Sequence, residues 1–197
     1  MQKRLIGLLA VLLLASSAAG AEIVPPKTAV KTMMDQVMAT LEQAEQTTEA
    51  KLDAIIEIIT PVFDFPLMAK LTLGRTYWPQ LSEIQQAEFT DLFVEKLRKV
   101  YTKHVDNFSE QQVVFGEARH KGSKVYLDSY MESKGDRVSI LYKLYQADDC
   151  WKIYDLEIQD VSVIRSYNAQ FVPVIRDRSP AALLQDLRES LAKADKE

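Results

Sequence analysis

The sequence predicts an α+β fold: about five to six helices covering a four-stranded antiparallel meander. Residues 28–107 carry apolar side chains at helical spacing, residues 112–158 switch to strict alternation with short polar turns, and helical spacing returns after Asp160. Strands joined by such short turns must be antiparallel, because a parallel pair needs a long crossover.

Each element has its own reason. After Pro25-Pro26, Thr28 to Gln46 places Val30, Met33, Met34, Val37, Met38 and Leu41 on one helical face. A second helix runs from Glu49 to Thr60 through Leu52, Ile55, Ile56 and Ile59, and Pro61 stops or kinks it. Phe63-Asp64-Phe65-Pro66 restarts the chain into a short helix, Leu67 to Leu73, closed by Gly74. Ser82 and Gln85 form a capping box for a long helix whose Phe89, Phe93, Leu97, Val100, Tyr101 and Val105 share one side as far as Asn107.

Strands are predicted at 112–119, 123–132, 137–146 and 150–158, with turns at Lys121-Gly122, Lys134-Gly135 and Asp148-Asp149. Val125, Leu127, Ser129 and Met131 share one face, as do Val138, Ile140, Tyr142 and Leu144. In the last strand Trp151 and Ile153 fall together, with Tyr154, Leu156 and Ile158 opposite. In the first, Val113 and Phe115 compete with Val114, Gly116 and Ala118, and alternation leaves both sets open. Helical spacing then takes Val161, Ile164, Tyr167 or Asn168, Phe171 and Val174, with Pro173 a distortion or end point. Ser179-Pro180 starts a last helix, Ala181 to Lys193.

Residues 1–21 read as an export signal: basic Lys3 and Arg4, an apolar run of about ten residues from Leu5 to Leu14, then small residues ending at Ala21. The run is short of the roughly 20 residues a membrane span needs, so cleavage after Ala21 and a periplasmic chain are expected. Residues 22–197 are enough for one domain with a core. The formal charge of −4, made more acidic by losing Lys3 and Arg4, argues against a nucleic-acid partner, which requires a basic footprint. Cys150 is the single cysteine, so no internal disulfide can form.

Little in the chain suggests covalent chemistry. The two histidines, His104 and His120, are too few for a histidine-rich metal centre, and Cys150 reads as a buried filler. No catalytic residues, metal site or cofactor are expected. Asp64 and Asp155 stand out because each lies between apolar neighbours; a helix cap for Asp64 and a hydrogen-bond acceptor for Asp155 are the plain readings. The competing one is a small-molecule binder or enzyme on a cone-shaped α+β scaffold, with Asp64 as base. A third is a structural adaptor with a filled core. Apolar surface is in excess, however, and Met33, Met34, Met38, Met68 and Met131 suit an adaptable cavity, since thioether chains fit ligands of varied shape.

Leu73-Gly74-Arg75-Thr76-Tyr77-Trp78 after Phe63-Asp64-Phe65, then Phe89 and Phe93 leading to Tyr101, then Trp151-Lys152-Ile153-Tyr154-Asp155, then Val161-Ser162 and Phe171 occur in this order. Together they resemble the MlaC / toluene-tolerance family of periplasmic phospholipid-binding proteins, over nearly the whole mature chain. Asp160 stands where the family usually has glycine, and Arg176-Asp177-Arg178-Ser179-Pro180 replaces a glycine-containing turn. The resemblance implies a curved sheet wrapped by helices around a lipid pocket. It also implies a monomeric carrier moving phospholipid between an outer-membrane lipoprotein/porin complex and an inner-membrane MCE-domain ABC transporter, maintaining outer-membrane lipid asymmetry.

Such a pocket must be dry and large. Two tails of about 30 methylenes would cost roughly 24 kcal/mol if exposed to water, and they occupy on the order of 800 Å³. The lining is expected from Leu67, Met68 and Leu71, from Phe93, Leu97 and Tyr101, and from Val125, Leu127, Val138, Ile140, Tyr142 and Leu144. Trp151, Ile153, Ile164 and Phe171 complete it. Arg75, Arg165 and Tyr167 are the candidates to meet a headgroup phosphate, ordinary surface salt bridges being the competing role for the arginines.

Overall fold

The computed structural model describes residues 23–102, 112–133 and 136–194, without the side chains of residues 101, 102, 133 and 136. The expected export segment, the long helix beyond Thr102 with His104, and the Lys134-Gly135 turn lie outside the described residues.

Among the described residues, six α-helices and a five-stranded antiparallel sheet follow the expected order of helices, meander and helices. The helices are α1 (Pro26–Leu41), α2 (Thr48–Ile59), α3 (Phe65–Tyr77) and α4 (Glu83–Thr102), with a short 3-10 turn at Trp78–Gln80, and then α5 (Val163–Asp177) and α6 (Pro180–Ala194) after the sheet. The strands are β1 (Gln112–Lys121), β2 (Lys124–Ser133), β3 (Asp136–Ala147), β4 (Cys150–Ile158) and β5 (Val161–Ser162), in spatial order β1-β2-β3-β4-β5. The expected meander is therefore extended by one two-residue strand. Val161-Ser162, expected to begin a helix, pairs with Glu157 and Ile158 instead, and Ser162 becomes the cap of α5.

Local side-chain hydrogen bonds decide where the helices begin. Thr47 accepts from the amide of Ala50 (3.2 Å), Asp64 from Leu67 (2.9 Å), Ser162 from Arg165 (3.1 Å) and Ser179 from Ala182 (3.1 Å). At α4 the box is reciprocal: Ser82 Oγ accepts from Gln85 N at 3.3 Å and Gln85 Oε1 from Ser82 N at 3.0 Å. Gly74 breaks α3 with φ 66° and ψ −173°, so the expected end at Leu73 is a real interruption. Pro173 does not end α5, which continues to Asp177.

Two bulges set the faces of the sheet. In β1 the register shifts between Phe115 and Ala118, so Val113, Phe115 and Ala118 turn inward and Val114 is exposed. Both sets left open by alternation thus contribute, on either side of the shift. In β4, Lys143 pairs with Asp155 but Leu144 pairs with Ile153, leaving Tyr154 as the extra residue. Ile153 therefore shares the inner face with Leu156, where simple alternation puts them on opposite faces. The first hairpin turns at Gly122-Ser123, one residue later than expected, with Gly122 at φ 61°.

Two apolar clusters form the solid part of the molecule. One joins α3, α4, α5 and α6 around Phe89, Phe93, Tyr167 and Phe171, whose rings meet edge-on and stacked at 5.3–6.5 Å. The other packs Val30 and Met33 of α1 on Val125, Leu127, Tyr142, Leu144 and Ile153 of the sheet. A smaller one, Leu41 with Leu52, joins α1 to α2.

An apolar cavity between sheet and helices

Between these clusters lies a cavity of about 580 Å³. Helix α1 contributes Met33, Met34, Val37, Met38 and Leu41, and α2 contributes Ile55, Ile56 and Ile59. Phe63, Phe65 and Met68 close one side, while Val94, Leu97, Arg98 and Val100 come from α4. The sheet supplies Met131, Val138, Ile140, Tyr142, Leu156 and Ile158, and Val163 begins α5. Val100 is exposed although it lines the cavity, so this part of α4 stands at a mouth. Among the described residues, Arg98 is the one charged side chain of the lining.

Why this space stays open follows from the elements. Helix α2 buries only Leu52, so Ile55, Ile56 and Ile59 face the space without filling it. The bulge at Tyr154 adds Leu156 and Ile158 to the same wall as Ile140 and Tyr142. Burial pushes the Tyr142 hydroxyl up to about 12, so this wall is neutral at ordinary pH.

Met68, Leu97, Val138, Ile140 and Tyr142, all expected in the lining, are brought together here. Val125, Leu127, Leu144 and Ile153 face inward but pack solidly under α1. Phe93 and Phe171 belong to the aromatic cluster, and Ile164 packs on its edge. Leu67 is half-buried and Leu71 exposed, both outside the lining. Trp151 packs edge-on against His120 at 6.4 Å, and the Tyr101 side chain is outside the described residues.

The headgroup candidates sit elsewhere. Arg75 is exposed beyond the Gly74 break, Arg165 pairs with Glu157 at 3.0 Å, and Tyr167 is buried against Phe93 and Phe171. None of the three lines the cavity. Cys150, expected as filler, is exposed at the end of β4. Sequence reasoning left α1 and α2 out of the lining, yet the signal was present: the five methionines that suggested an adaptable cavity all line it.

The two marked carboxylates are structural. Asp64 caps α3 with one oxygen and accepts from the Tyr145 hydroxyl with the other. Asp155 is buried and accepts from Ser162 Oγ (2.8 Å), Ile164 N (3.2 Å) and Lys143 Nζ (3.0 Å), tying α5 to the sheet. Among the described residues no group of three or more His, Cys, Asp or Glu could hold a metal ion, and no helix is long and apolar enough to cross a membrane.

The profile of the MlaC protein family matches residues 31–189. That family consists of non-enzymatic lipid carriers. No curated protein matches the chain. Among solved structures the chain is similar to a phospholipid-binding protein from Ralstonia solanacearum, determined in complex with a phospholipid. The TM-score is 0.80 at 26% sequence identity, covering 87% of this chain and 99% of that one.

Proposed function

Because the chain belongs to the MlaC family, we propose that it is a periplasmic phospholipid carrier, holding acyl tails in the cavity with the headgroup at the mouth beside Val100. The observation that carries this reading is the cavity itself, whose described lining is apolar but for Arg98 and the Tyr142 hydroxyl. A structural relative that holds a phospholipid supports it.

Energetics favour tails as the cargo. Each methylene moved from water into the cavity gains about 0.8 kcal/mol, and tails of this kind have no polar group to satisfy. The cavity volume of about 580 Å³ falls within the ordinary ligand range of about 300–1,000 Å³. It is smaller than the roughly 800 Å³ of two full tails, so a two-tailed lipid fills it and presses its walls apart.

Family membership and the signal-like N-terminus support a reading of the partners. The carrier exchanges lipid with an outer-membrane lipoprotein/porin complex on one side and an inner-membrane MCE-domain ABC transporter on the other, and so maintains outer-membrane lipid asymmetry. Native mass spectrometry of protein purified without detergent tests the central claim. About one bound phospholipid per chain is expected. Protein that is lipid-free and takes up none from vesicles would refute it.

A further inference from the structure

Arg98 is a cation built into an otherwise apolar wall. It lines the cavity together with Leu97 and Val100 of the same helix, and an aliphatic stem carrying a charged head suits a boundary between apolar surface and water. It pairs with Asp53 of α2 at 2.6 Å and with Glu95 at 3.5 Å. The Arg98 side chain is 24% exposed and that of Asp53 65%, so the Asp53 pair is wet on one side. Such a pair is weak and exchangeable, whereas a phosphate offers the same fork-shaped donor two oxygens and greater charge. Lys51 donates its ammonium to the carbonyl of cavity-lining Leu41 at 2.8 Å, a second positive charge held against a residue of the lining.

We infer that Arg98 is the phosphate-binding residue of the cavity mouth, exchanging Asp53 for the phosphodiester or phosphomonoester of a lipid whose tails lie inside. The inference rests on the carrier reading and deepens it, because it makes the mouth selective for anionic lipids over uncharged ones with identical tails. It also couples loading to α2. Once the phosphate takes the guanidinium, Asp53 no longer tethers α2 to α4 across the opening.

The test is competitive loading. Wild type, Arg98→Gln, Arg98→Lys and Asp53→Asn are equilibrated with phosphatidylcholine vesicles containing equal small fractions of phosphatidic acid and diacylglycerol of the same chains, and bound lipid is measured by mass spectrometry. Wild type is expected to load phosphatidic acid over diacylglycerol by about fivefold or more, a preference that Arg98→Gln removes while leaving diacylglycerol loading within about twofold. Arg98→Lys should retain part of the preference, and Asp53→Asn should widen it by removing one competing carboxylate. Unchanged preference in Arg98→Gln overturns the inference. So does equal loss of thermal stability in Arg98→Gln and Asp53→Asn with no change in preference, which would make Arg98 a prop for α2. Wild type that loads none of the lipids instead overturns the carrier reading.

Discussion

Tyr145 and Asp64, 81 positions apart, share a hydrogen bond that fastens the start of α3 to the sheet. The same carboxylate caps α3 through Leu67 N, and the neighbouring backbone is bonded to β4 through Asp64 N to Ile153 O (2.9 Å) and Ile153 N to Val62 O (2.8 Å). With both oxygens engaged, Asp64 is a joint between layers, and it fixes one wall of the cavity at Phe63 and Phe65.

Removing that joint should be costly. Asp64→Ala is expected to lose about 1–3 kcal/mol, since a cap goes and a hydroxyl loses its acceptor, while Asp64→Asn keeps the cap but turns an amide donor toward the Tyr145 hydroxyl, and loses less. Denaturant unfolding measures the difference. The hydrogen bond to Asp64 also holds the Tyr145 hydroxyl up at about 12, so in Asp64→Ala a tyrosinate absorbance titration should bring it back toward the ordinary tyrosine value.

Alkaline stability follows with a definite sign. Burial raises Tyr142 to about 12, so the native state holds its proton more tightly than the unfolded chain does. The stabilisation is complete below the unfolded value near pH 10 and drains away as pH rises through about 12, amounting to about 2–3 kcal/mol. Tyr142→Phe should reduce the slope of this part of a melting-temperature profile against pH, Tyr145 keeping its own share. An unchanged slope would rule out Tyr142 as its source.

Cavity wall and solid core should respond oppositely. Phe171→Ala, in the aromatic cluster, is expected to cost about 3–5 kcal/mol and leave lipid stoichiometry intact in the folded fraction. Ile56→Trp, on the wall, fills space; it should cut lipid loading by about fivefold or more without lowering the melting temperature. Equal effects on loading from both variants would mean that the wall has no separate role.

Gly74 offers a purely conformational test. A β-carbon there meets no atom within 4 Å, yet φ 66° with ψ −173° is a conformation essentially reserved for glycine. Gly74→Ala should therefore lose about 1–3 kcal/mol in urea unfolding with no steric contribution. Loss near zero would mean that the break in α3 relaxes freely.

Much of this architecture was written locally. Ser82 with Gln85, Ser179 with Pro180, and the alternation through Val125–Met131 and Val138–Leu144 each act within a few residues, so the sequence by itself determined the order of helices and the four long strands, the starts of α4 and α6, and the inner faces of β2 and β3. Its methionines also marked the cavity, because a flexible side chain is useful where shape must adapt. Only the tertiary structure decided which inward residues bound empty space. Leu127 and Ile140 are equally apolar and share a face, but α1 lies against the first and nothing fills the space before the second. Periodicity reports the side a residue faces, whereas occupancy depends on how far apart the layers are held. That separation is set by long-range joints such as Asp64 with Tyr145 and by the Tyr154 bulge, which no local pattern encodes.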